Sequence, residues 1–143
     1  MNNSIHPCLW FDGQAEEAAT FYCSIFKNSK ITTNTPMVVN FELDGKKFMG
    51  LNGGPQFKFN ESVSFVVECD DQKEINYYWD NLTSDGGIAS QCGWLKDKYG
   101  LSWQIIPKRL GELMKGDPEK SQKVMQALMT MGKIEIAKLE EAQ

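Results

Sequence analysis

Residues 12–22, DGQAEEAATFY, return in altered form at residues 70–79, DDQKEINYYW. Asp12, Gln14 and Glu16 correspond to Asp70, Gln72 and Glu74. A short apolar run precedes each copy, LWF before Asp12 and FVVEC before Asp70. Strand-like segments follow each copy and end in a glycine-led run, DGKKFMGL in the first half and KYGLSWQII in the second. A chain that writes strand, helix and then further strands twice is built from two half-modules sharing one site.

The 143 residues suit one compact domain, 1–143, with module one at 1–55, module two at 62–107 and a helical tail at 108–143. The net charge is −4 and the two signs are interspersed. No basic patch argues for nucleic acid, and no polybasic run argues for a membrane surface. No apolar stretch approaches the roughly 20 residues of a membrane-spanning helix. The opening MNNSIHPCLW has neither a basic run nor a long apolar one, so an export signal is not expected and a cytoplasmic setting is. Cys8, Cys23, Cys69 and Cys92 form no CxxC pair, which points to free, mostly buried thiols. A catalytic cysteine usually needs a histidine, and the chain has only His6.

Pattern reading places a strand at Ile5 to Phe11 and a helix at about Ala15 to Phe26, with Ala15, Ala18, Tyr22 and Phe26 on one face. Strands follow at Lys30 to Thr35, Met37 to Leu43 and Lys47 to Leu51, the last two joined by the hairpin signal Asp44-Gly45. Asn52-Gly53-Gly54-Pro55 reads as a turn or a lid. Module two repeats the order: a strand at Ser62 to Cys69, a helix at Gln72 to Leu82, and strands at Ile88 to Lys96 and Leu101 to Pro107. In the tail, Asp117-Pro118 opens a helix that ends at Gly132, and a last helix spans Ile134 to Ala142. The fold class is α+β: two βαβββ modules forming a cupped mixed sheet, plus C-terminal helices.

Strands alternate faces with period two. Phe65, Val67 and Cys69 form a wholly apolar parity and belong under the helix, so Ser64 and Glu68 face the other way. Carried through the repeat, Pro7, Leu9 and Phe11 lie under the first helix, and His6, Cys8 and Trp10 face the concavity. Gly45 and Gly100 head the final strands, which makes Met49 and Gln104 equivalent and puts Trp103 on the helix side. The concave side then collects His6, Met49, Ser64 and Gln104, with Trp10 and Trp94 as walls.

The stretches PCLWFDGQAEEAATFY, ELDGKKFMGLNGGPQFKFNESVSFVVEC and QCGWLKDKYGLSWQIIP resemble the PhnB-like group of the vicinal-oxygen-chelate superfamily, the glyoxalase and bleomycin-resistance fold. The resemblance spans essentially the whole chain, KRLGELMKGDPEK included. It implies paired βαβββ modules, a cupped sheet and a homodimer, often built by exchanging elements between chains. Metal enzymes of that superfamily place His or Glu at the inward ends of the first and last strand of each module. Those positions carry over to His6, Met49, Ser64 and Gln104, the last within an Asp97, Gly100, Gln104 pattern. Of these only His6 is a good ligand, whereas catalytic zinc wants three. Some members bear a methyltransferase description, yet no glycine-rich loop of the kind a nucleotide-like methyl donor uses joins a strand to a helix here.

The expectation is therefore a small-molecule-binding protein without metal or other cofactor, whose ligand meets His6, Trp10, Met49, Ser64, Trp94 and Gln104. No catalytic residue is assigned. One alternative is a metal-assisted lyase, isomerase or dioxygenase, with His6 as one ligand and Glu68 as the best spare carboxylate. The other is a structural or interaction protein, since fold alone does not decide function.

Overall fold

The computed structural model describes residues 3–143. Module one contains β1 (Cys8–Phe11), α1 (Ala15–Ile25), β2 (Lys30–Asn34), β3 (Val38–Leu43) and β4 (Lys46–Asn52). Module two contains β5 (Ser64–Cys69), α2 (Gln72–Leu82), β6 (Ile88–Ala89), β7 (Trp94–Lys96) and β8 (Ser102–Pro107). The tail adds α3 (Leu110–Leu113), α4 (Pro118–Leu128) and α5 (Ile136–Glu141). The chain forms two compact units, Met1–Phe59 and Asn60–Gln143, so the tail belongs with module two.

Each unit holds one four-stranded mixed sheet, in the order β1-β4-β3-β2 and β5-β8-β7-β6. In both, the first and last strands of the module pair in parallel and the remaining pairs are antiparallel. The repeat extends to register. Cys8 sits opposite Met49 in the first sheet, as Val66 sits opposite Gln104 in the second.

In the first unit, Ala15, Ala18 and Ala19 are fully buried, so α1 lies close on its sheet. A Cβ at Gly50 would come within 3.2 Å of the Ala15 Cβ, which makes the missing side chain part of that close approach. Tyr22, Phe41 and Phe48 stack in sequence beneath the helix, with ring centroids 6.3 and 5.5 Å apart. The two helices start differently despite their shared sequence. In α2, the N-cap Asp71 carboxylate accepts from the Glu74 N–H, and the Glu74 carboxylate accepts from the N–H of Asp70, one residue before the cap, a variant of the capping box. In α1 the Gln14 side chain caps nothing, and Asn52 accepts from the Ala15 N–H instead.

Several expected boundaries move. The strand read from Ile5 begins at Cys8, because Pro7 has no N–H to give the ladder; its carbonyl accepts from Met49 N–H and pairing starts after it. The strand read from Ile88 to Lys96 is a hairpin, β6 and β7, since Cys92 and Gly93 take positive φ of 59° and 84° and turn the chain. Gly93 is obligatory there: a Cβ would lie 2.8 Å from both the Ile105 carbonyl and Ile134 Cδ1. The Asp44-Gly45 hairpin forms with both residues at positive φ. α5 starts at Ile136 rather than Ile134, and α3 was not legible in the sequence.

The tail builds its own core. Leu113, Val124, Leu128, Met131, Ile134 and Leu139 are buried together, with Cys92, Ile106, Leu110 and Met114 packed against them. These apolar residues are satisfied within the unit, so their number is not by itself a sign of a second chain. Gln72 fastens the tail to the start of α2: its amide donates to the Ile134 carbonyl and accepts from the Ile136 N–H, both at 2.9 Å.

The four cysteines are free thiols. Cys69 is fully buried, and that burial, followed by the nearby Glu74, Asp70 and Asp71 carboxylates, pushes its thiol up to about 12. It stays protonated at neutral pH and is no nucleophile. Iodoacetamide should label exposed Cys8 in the native protein and leave Cys69 untouched until denaturant is added. Peptide mass mapping reads the difference, and fast native labelling of Cys69 would show that the α2 side of β5 opens.

Candidate ligand site on the second sheet

Trp103 and Ile105 form the buried parity of β8, on the side where α2 packs. Ser102, Gln104 and Ile106 point to the opposite face. Cross-strand partners share a face, so Ser64 and Val66 on β5, and Trp94 and Lys96 on β7, stand beside them. There the Gln104 amide donates to the Ser64 hydroxyl at 2.9 Å, joining residues 40 apart in sequence. Trp94 is the β7 partner of Gln104. Ser64, Trp94 and Gln104 thus meet on one face of one sheet.

A cavity of about 610 Å³ opens on this face, within the usual range for small-molecule sites. Ile88, Ala89 and Trp94 give it apolar walls, and Ser90, Lys96, Ser102 and Glu61 supply polar groups. Glu61 and Lys96 form an ion pair. Ser102 is fully buried, and no partner reaches its hydroxyl among the described residues. The sequence reading missed Ser102, Lys96 and Glu61. Ser102 was within reach, two residues from Gln104 on the same strand. The Ser90–Gly93 turn that shapes the cavity was hidden by reading β6 and β7 as one strand.

The remaining candidates lie in the first unit, each with its own surroundings. His6 is exposed and precedes β1. Met49 is half-buried beside Cys8. Trp10 is engaged locally: its indole N–H donates to the Gly54 carbonyl at 2.8 Å, and Phe57 meets its ring edge-on at 4.9 Å. A Cβ on Gly53 would lie 2.3 Å from the indole, so the ring lies flat on the Gly53 backbone. That clamp pins Gly53 and Gly54 where the chain leaves β4, and the turn itself falls at Pro55 and Gln56. In the second unit, the alternative carboxylate Glu68 is exposed near the end of β5.

The superfamily's metal positions do not fit a catalytic zinc here. Ser64 and Gln104 are bonded to each other, and Met49 offers a thioether. Among the described residues no three His, Cys, Asp or Glu side chains converge on a point.

Two sheets with the same first-last-third-second strand order, each carrying one helix, define the glyoxalase-type fold of the vicinal-oxygen-chelate superfamily. A glyoxalase-related enzyme from Fulvimarina pelagi shares it at 15% identity, with a TM-score of 0.58 over 77% of this chain and 91% of that one. A glyoxalase/bleomycin resistance protein from Albidiferax ferrireducens does so at 11% identity and a TM-score of 0.55, over 73% of this chain and 98% of that one. Within that class, residues 3–106 match the family model described as 3-demethylubiquinone-9 3-methyltransferase, and the chain belongs to this PhnB-like family. A PhnB protein from Bacillus cereus, whose name carries the same methyltransferase designation, is 31% identical, with a TM-score of 0.66 over 73% of this chain and 99% of that one. No curated protein matches the chain.

Proposed function

We propose that this PhnB-like protein binds a small organic molecule on the face of its second sheet away from α2, using hydrogen bonds and apolar contact rather than a metal. The observation that carries this reading is the cavity lined by Trp94, Lys96 and Ser102; Ser64 and Gln104, the strand partners of Ser102 and Trp94, stand on the same face but outside its lining. Gln104 and Ser64 give that face a polar anchor of donors and acceptors. Trp94 supplies a large flat wall. Methyl transfer has less support: the strand-to-helix turns are the short acidic segments Asp12-Gly13-Gln14 and Asp70-Asp71, which are poor cradles for a nucleotide-like methyl donor.

A thermal-shift screen of small molecules on the full chain tests the proposal. A ligand at 100 times its dissociation constant should add about 2.7 kcal/mol of stability. Gln104→Ala should weaken that ligand by roughly 1–3 kcal/mol. About one zinc, nickel or iron per purified chain, lost in His6→Ala, would overturn the metal-free reading and favour the metal-assisted lyase, isomerase or dioxygenase.

A homodimer in the cytoplasm completes the proposal. Each sheet ends in strands without a further neighbour, β1 and β2 in one and β5 and β6 in the other. Met125 and Met129 on and beside α4 are exposed. The four free thiols suit a reducing compartment. Among the described residues no helix is long and apolar enough to cross a membrane. Light scattering that finds a monomer at micromolar concentration rejects the dimer.

A further inference from the structure

Lys96 and Ser102 are direct cross-strand partners, so an ammonium and a hydroxyl stand side by side on the cavity lining. The hydroxyl is buried and unpartnered, a standing penalty that an acceptor on a ligand would remove. The ammonium is paired with Glu61, but solvent-exposed pairs of this kind contribute little. The Glu61 side chain is 61% exposed and lies before β5, whereas Lys96 is 38% exposed and rooted in β7. Glu61 can therefore return to water while Lys96 stays in the cavity. The surrounding wall is apolar, with Ile88, Ala89 and the Trp94 indole.

We infer that this cavity takes a small flat carboxylate, which displaces Glu61 from Lys96, accepts a second hydrogen bond from Ser102 and lays its apolar body against Trp94. This rests on the reading that the face binds a small molecule, and adds the ligand's charge and shape. One cation and one neutral donor match the two oxygens of a single carboxylate. An ammonium ligand would meet Lys96 with like charge and could accept nothing from Ser102.

Calorimetry on the full chain with cinnamate, neutral cinnamamide and cationic cinnamylamine tests the inference. Cinnamate should bind about tenfold more tightly than cinnamamide, as expected for a charge-assisted pair, and cinnamylamine should not bind. Lys96→Met should erase the preference for cinnamate over cinnamamide. Glu61→Gln should tighten cinnamate about threefold by removing the competing carboxylate. Ser102→Ala should weaken cinnamate about fivefold without lowering the melting temperature, since the hydroxyl has no partner to lose. Cinnamylamine binding as well as cinnamate, or Glu61→Gln weakening cinnamate, overturns the inference. Equal binding of cinnamate and cinnamamide that is lost in Trp94→Ala also overturns it, yet leaves the small-molecule site standing. Failure of all three probes to bind overturns the inference, while the small-molecule site itself stands or falls on the thermal-shift screen.

Discussion

Trp103→Ala should lower the stability of the protein by about 3–5 kcal/mol, the usual consequence of emptying a large core position. Trp103 is 3% exposed, packs its ring 5.6 Å from that of Phe65, and lies on the α2 side of β8. The adjacent residue should behave oppositely. Gln104 is only half-buried, and its loss removes one bond to a half-buried serine, an effect of about 1 kcal/mol or less. Urea melts of the two variants make the comparison. A stable Trp103→Ala beside an unfolded Gln104→Ala would mean that the two faces of β8 are exchanged, and the site on the second sheet would fall with them.

Asp97→Ala should destabilise the fold by a comparable amount, about 3–5 kcal/mol, because it leaves several buried donors unanswered. Asp97 is 3% exposed. One carboxylate oxygen accepts from the N–H groups of Tyr99 and Leu101, at 2.8 and 3.1 Å, and the other accepts from the Trp103 indole N–H at 2.9 Å. The side chain thus closes the β7–β8 turn and ties it to the core. Asp97→Asn keeps one accepting oxygen and should lose only part of that stability. Since Asp97 and Trp103 share a hydrogen bond, their effects should not add, and a double-mutant cycle should show coupling of about 0.5–3 kcal/mol. Additive losses would show that the indole bond contributes nothing in solution.

The Asp97 role illustrates what a sequence hides. Asp97 and Gly100 were visible as a spaced pattern, but a carboxylate in a turn is ordinarily solvated, and nothing local says that an indole six residues on will reach it. Trp10 makes the same point. Its parity on β1 was legible from the repeat, and Leu9 and Phe11 on either side of it are buried. Its use as a clamp on Gly53 and Gly54 depends on β4 arriving beside β1, which is a matter of strand order. His6 was given a strand position by analogy with Ser64, and Pro7 ends that analogy by cutting the strand short.

By itself the sequence determined the local periodicities: the duplicated strand–helix–strands order, the α2 limits, the Asp44-Gly45 hairpin, and which face of the first and last strand of each module lies under a helix. These follow from patterns of period two and 3.6 that act over a few residues. Only the tertiary structure decided which distant groups meet. Gln104 finds Ser64 because the parallel register of β5 and β8 brings them within reach, and the tail closes on Gln72 through its packing against α2. A hairpin takes its register from its own turn, but the register of strands distant in sequence is set by the packing of whole strands and helices against one another, and no short stretch of sequence contains it.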